Sequence, residues 1–133
     1  MSLRWKNGAS WEAISDAALY GTYGGTYHVE YPAATDVAVD GTPCGAVGKP
    51  RIIIQIPWLT DTGFDFWRDR FASTTAPSAA LSIEAWDPRT GTVVKWAGIL
   101  QRPTFDGISV GSSAGQTIYR NVRILVSECE TTT

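Results

Sequence analysis

The stretch 51–60, RIIIQIPWLT, followed at 61–72 by DTGFDFWRDRFA, decides the fold. Ile52, Ile53, Ile54 and Ile56 form an almost continuous β-branched run, which predicts a strand covered on both faces. Pro57 interrupts the hydrogen-bond ladder, and Thr60 or Asp61 offers an N-cap for the helix that follows. Within Asp61–Ala72, Phe64, Trp67 and Phe71 recur at i, i+3 and i+7, a single apolar stripe that faces the sheet. Asp65, Arg68 and Asp69 point outward. Phe66 lies off the stripe, so it either widens the buried face or reaches a neighbour.

Working outward, Leu81, Ile83 and Ala85 alternate with Ser82, Glu84 and Trp86, the period-2 pattern of a half-buried strand. Asp87-Pro88-Arg89-Thr90-Gly91 has the chemistry of a hairpin loop built on a type I turn. The partner strand Thr92–Leu100 places Val94, Trp96 and Leu100 on one face. A strand at Phe105–Val110, a Gly/Ser-rich loop at 111–116 and a last strand at Ile118–Glu128 follow, the last with Val122, Ile124 and Val126 inward and Arg123 outward. Upstream, Thr26–Tyr31 has strand composition and Pro32 ends it. The expected class is all-β, a β-sandwich or small barrel of about seven strands with one α-helix packed on the sheet.

Two segments read less simply. Asn7-Gly8 is a hairpin signal that pairs Leu3–Lys6 with Ala9–Ile14 and sets Arg4 opposite Trp11. The competing reading is a helix from Ser10, with Trp11, Ile14 and Ala18 on one face and Gly21 as terminator. Residues Ala33–Pro50 lack clear periodicity and hold three glycines and two prolines in eighteen positions. A loop of that length in a compact domain binds something or orders on assembly. A short strand at Val37–Val39 with a turn at Asp40-Gly41 is the alternative.

A chain of 133 residues is one ordinary domain, 1–133, with an arm or hairpin at 1–14 and a long assembly loop at 33–50. Its 11 Lys+Arg balance 13 Asp+Glu, so no net field favours nucleic acid or an anionic membrane. The N-terminus has no signal-peptide pattern and no run reaches the roughly 18 apolar residues of a membrane span, so the expectation is cytoplasmic synthesis and no membrane partner. Cys44 and Cys129 form no zinc-binding pattern. A bridge between them would close a long loop worth about 4 kcal/mol, but a reducing compartment argues against it.

Each sharper chemical reading has a blander rival. His28 is the only histidine, and no nucleophile signature such as GxSxG accompanies it, so it reads as a strand residue with a backbone partner. Asp61, Asp65 and Asp69 recur along the helix, yet Arg68 and Arg70 interleave them and no Ca²⁺-loop spacing exists. Glu30 and Glu84 make a glycosidase pair only if a cleft brings them about 5–9 Å apart. No catalytic residue, metal site or cofactor is expected. Six tryptophans invite a sugar-stacking reading, in which Trp86 and Trp96 share one exposed face. The rival makes Trp67 and Trp96 core and Trp5, Trp11 and Trp86 subunit-interface anchors. Eight Arg against three Lys favour planar, bidentate contacts and so the interface.

The order of a β arm (Leu3–Ile14), a long Gly-rich loop (Ala33–Pro50), a core strand, one helix on the sheet and a DPRTG hairpin (Leu81–Leu100) resembles the small structural proteins of tailed-phage virions, the tail-tube, tail-terminator and neck group. The resemblance lies in organisation, over Ile52–Glu128. It implies a non-enzymatic virion protein, synthesised in the host cytoplasm, that self-assembles into rings or a tube through its arm and loop. The expected partners are further copies and other virion proteins, with no sequence-specific nucleic acid and at most a passive DNA conduit. The candidate interface residues are Trp5, Trp11, Val37, Val39, Pro43, Val47 and Trp86. The alternatives are a capsid decoration protein and, from another class, a carbohydrate-binding β-sandwich module.

Overall fold

The computed structural model describes residues 3–19, 25–32, 34–110 and 117–132, with the backbone alone at 16–17, 34–37, 43–47 and 109–110. Its ten strands are β1 (Arg4–Asn7), β2 (Ser10–Ala13), β3 (Thr26–Glu30), β4 (Ala34–Val37), β5 (Pro43–Val47), β6 (Arg51–Thr60), β7 (Ser78–Asp87), β8 (Thr92–Gln101), β9 (Gly107–Val110) and β10 (Thr117–Thr131). Among the described residues the helices are α1 (Asp16–Leu19) and α2 (Asp61–Arg68). The all-β class with a helix packed on an antiparallel sheet is as expected.

Eight strands form one sheet in the order β2-β1-β7-β8-β10-β6-β3, with β9 pairing β10 off that path, while β4 and β5 make a sheet of their own. The large sheet curls until β3 faces β7. There the ladder gives way to side chains: Tyr27 Oη accepts the Trp86 N–H at 3.1 Å, and Tyr31 Oη donates to the Asp87 carboxylate at 2.5 Å. Asp87 is otherwise buried, so this bond and the Arg89 N–H at 3.0 Å satisfy a carboxylate that would be costly to leave unpartnered. The result is nearer to a partly closed barrel than to two packed sheets.

The inner face carries the core. Ile52, Ile54 and Ile56 of β6 lie beside Val122, Ile124 and Val126 of β10, and Leu81, Ile83 and Ala85 of β7 beside Trp96 and Leu100 of β8. Over them lie Phe64 and Trp67 of α2, followed by Phe71 beyond its end. The i, i+3, i+7 stripe is therefore the buried one, each aromatic contributing about 2–3 kcal/mol by burial. Trp67 is wholly buried and donates its indole N–H to the Ala18 carbonyl at 2.9 Å, fastening α1 to α2.

Four expectations need correction. The helix ends at Arg68 rather than Ala72: the Asp69 N–H makes the last i−4 bond, to the Asp65 carbonyl, and the chain then tightens into turns in which Arg70 and Phe71 donate to the Trp67 and Arg68 carbonyls. The isoleucine strand is not covered on both faces: on the outer side Ile53 is buried, but Gln55 and Pro57 are exposed. The N-terminal hairpin forms, yet Asn7 pairs with Ser10, so the two loop residues are Gly8 and Ala9. Gly8 takes φ +62°, the first central position of a II′-like turn, and the shift places Arg4 opposite Ala13 and Lys6 opposite Trp11. Within 33–50 the aperiodic loop gives way to the alternative reading of a strand and turn: the β4–β5 hairpin occupies 34–47 with its turn at 38–42, though the strand is Ala34–Val37 rather than Val37–Val39. The predicted loop at 111–116 lies outside the described residues.

Candidate assembly surfaces

The β4–β5 hairpin is built from ATDV and PCGAV, with Val37 opposite Pro43 and Ala34 opposite Val47. Its turn is held locally: the Ala38 N–H donates to the Thr42 carbonyl at 2.7 Å, the Gly41 N–H to the Ala38 carbonyl at 2.9 Å, and Asp40 Oδ1 accepts the Thr42 N–H at 2.9 Å. That last bond holds the Asp40 carboxyl below its ordinary value, so it is ionised at neutral pH. Val39 at the turn is wholly exposed. The root is fastened to β10, where Lys49 Nζ meets Glu130 Oε1 at 2.5 Å and the Cys129 N–H donates to the Pro50 carbonyl at 3.0 Å. Cys129 itself is a buried free thiol, pushed up to about 11 by desolvation.

The second surface is the outer face of β2, β1, β7 and β8. Register places Trp86 beside Val93, and Glu84 between Arg4 and Lys95. Arg4 Nη1 reaches Glu84 at 3.6 Å, and its other amino group donates to the Trp11 carbonyl at 2.9 Å. Lys95 Nζ stands 5.2 Å from the centre of the Trp11 ring, so that indole lies across the face. Trp86 and Val93 are 49% and 58% exposed.

Of the candidate residues, the structure brings Trp11 and Trp86 to one face and Val37, Val39, Pro43 and Val47 to one hairpin. Trp5 goes elsewhere: it alternates inward on β1, meets Phe66 edge-on at 5.4 Å and lies under Arg70 at 4.1 Å. Phe66 thus widens the buried face, the first of its two readings, packing on the core beside Trp5 and Trp67. Sequence reasoning missed Val93, Ile99 and Ile108, all exposed. For Val93 the signal was present, since the DPRTG turn sets it directly across from Trp86.

The sugar-stacking pair does not form. Trp96 is 4% exposed and pairs across the inner face with Ile83, while Trp86 faces out. His28 pairs with Ile53 in the ladder and sits 3.9 Å from Glu30. Glu30 is engaged by Arg51, whose hydrogen bond holds its carboxyl below the ordinary range, and Glu84 by Arg4, so the two glutamates serve different ion pairs. Asp65 pairs with Arg68 at 3.1 Å, and Asp61 accepts from the Thr117 N–H at 3.4 Å. Among the described residues no three His, Cys, Asp or Glu side chains gather to hold a metal. An open outer groove of about 580 Å³ is lined by Gln55, Thr104, Asp106, Asn121 and Arg123, where Asn121 donates to Asp106 at 3.0 Å. No family model, no curated protein and no solved structure matches the chain.

Proposed function

We propose that the protein is a non-enzymatic virion structural subunit that self-assembles into rings or a tube in the manner of tail-tube proteins. The observation that carries the reading is the β4–β5 hairpin, a two-stranded sheet separate from the main one, with a wholly exposed valine at its turn. A two-stranded hairpin is marginal in water on its own, and a neighbouring copy would supply the packing it lacks. The rigid body supports the same reading: the curled sheet and its helix fix the hairpin root through Lys49 and Pro50, so an arm ordered against a neighbour transmits a defined angle. The short outer edge β2, capped by Arg4 on the Trp11 carbonyl, is blunted against unspecific strand pairing. Partners are further copies and other virion proteins, and any DNA passes through without being gripped.

The test is light scattering with negative-stain microscopy of the full chain over a range of concentrations, beside a variant in which residues 33–50 are replaced by a short Gly/Ser link. Rings, tubes or a fixed oligomer from the full chain and a folded monomer from the variant are expected. A full chain that stays monomeric throughout, or a variant that assembles equally well, overturns the reading.

A further inference from the structure

We infer that the β4–β5 hairpin of one copy seats its Val39 tip on the outer face of β7 and β8 of the next copy, against Trp11, Trp86 and Val93. This rests on the assembly reading and specifies its contact. Three observations converge on it. Val39, Trp86 and Val93 are all exposed large apolar side chains, and the register of β7 on β8 places the last two side by side as one patch. Trp11 extends that patch, its ring spanning the face toward Lys95. Aromatic rings in such a setting are the usual anchors of an interface.

Charge selects the occupant. Between residues 34 and 47 the hairpin carries two charged residues, Asp36 and Asp40, both acidic. The outer face carries three cations, Arg4, Lys6 and Lys95, against one anion, Glu84, which Arg4 already engages. An acidic apolar tip and a basic aromatic face are complementary, which steers their encounter and sets register. Tip and face are different parts of the surface, so the contact is heterologous: repeated, it closes a ring or continues as a tube.

The experiment places the photo-crosslinker p-benzoylphenylalanine at position 39 of the full chain, mixes isotopically heavy and light copies, irradiates under assembling conditions and maps the products by mass spectrometry. Crosslinks between heavy and light copies into peptides from residues 82–97 are expected. Crosslinks within one chain, to another hairpin or to β3 overturn the docking while the assembly reading stands; a chain that never assembles overturns both. A charge exchange provides an independent arm. Lys6→Glu is expected to raise the concentration needed for assembly about three- to tenfold, and Asp36→Lys in the same chain to restore it. Asp40 is left intact because its carboxylate holds the turn. If the double variant assembles no better than Lys6→Glu alone, the proposed pairing of surfaces is wrong.

Discussion

Replacing Gly98 by alanine tests the closest approach in the sheet. Gly98 lies on β8 opposite Leu81, and on its other side faces the bulge of β10, where register shifts between Ser127 and Glu130 and Glu128 adopts φ +53°. A Cβ at position 98 would stand 2.7 Å from Val126 Cγ1, 2.9 Å from the Ser127 carbonyl oxygen and 3.0 Å from Cys129 Sγ. The valine methyl can rotate away, but the carbonyl belongs to the backbone and Cys129 is buried, so β8 and β10 must separate. Overpacking of this kind costs about 1–3 kcal/mol, offset by about 0.4–1 kcal/mol that alanine contributes through the unfolded chain, for a net loss of about 1–2 kcal/mol. At about 2.1 cal/mol/K per residue, a chain of this length has an unfolding entropy near 0.28 kcal/mol/K, so Tm should fall by about 4–7 °C. Gly107→Ala is the control, because nothing lies within 4 Å of its added Cβ and its φ is not positive. It should leave Tm unchanged or raise it by about 1–4 °C. The assay is thermal unfolding by far-UV circular dichroism of both variants. A Gly98→Ala protein as stable as Gly107→Ala would refute the close packing of β8 on the bulge.

Two further predictions concern the interior and the seam. Trp67→Phe removes the indole N–H from the Ala18 carbonyl and leaves a buried acceptor and a small void, so urea unfolding should show a loss of about 2–3 kcal/mol; a loss below about 1 kcal/mol would mean that α1 is not fastened to α2. Desolvation first, then its bond to Asp87, pushes the Tyr31 phenol up to about 12, against an ordinary value near 10. The folded chain therefore holds a proton that the unfolded chain releases, and the stability Tyr31 contributes is present below about pH 10 and lost as pH rises toward about 12. Ultraviolet titration of the phenolates should show a late-ionising step that Tyr31→Phe removes. If the late step persists in that variant, the seam bond is misassigned.

Much of the molecule was legible residue by residue. Alternation at Leu81, Ile83 and Ala85 and at Val122, Ile124 and Val126, the spacing of Phe64, Trp67 and Phe71, and the DPRTG turn are local signals, because backbone geometry alone dictates which side chains share a face. The hairpin within 34–47 was harder to read, since Gly41, Pro43 and Gly45 mask the period and its pairing depends on a bulge between Ala34 and Asp36. The turn at Gly8-Ala9 differs by one residue from the one expected, because Asn7-Gly8 and Gly8-Ala9 both satisfy local turn chemistry, and the observed ladder pairs Asn7 with Ser10.

The candidate surfaces divide along the same line. From the sequence alone came the all-β class with its helix, the Gly- and Pro-rich composition of 33–50, and the six tryptophans. Which tryptophan does what was decided by tertiary structure. Trp5, Trp86 and Trp96 all sit on strands, but burial belongs to a face, and a face is covered or bare according to elements far away in the chain: Phe66 and Arg70 of the helical segment take Trp5, the curled inner face takes Trp96, and Trp86 on the outer face stays half exposed. The seam between β3 and β7 has the same origin, because Tyr27 and Tyr31 lie more than fifty residues from the groups they bond, a separation that no local pattern encodes.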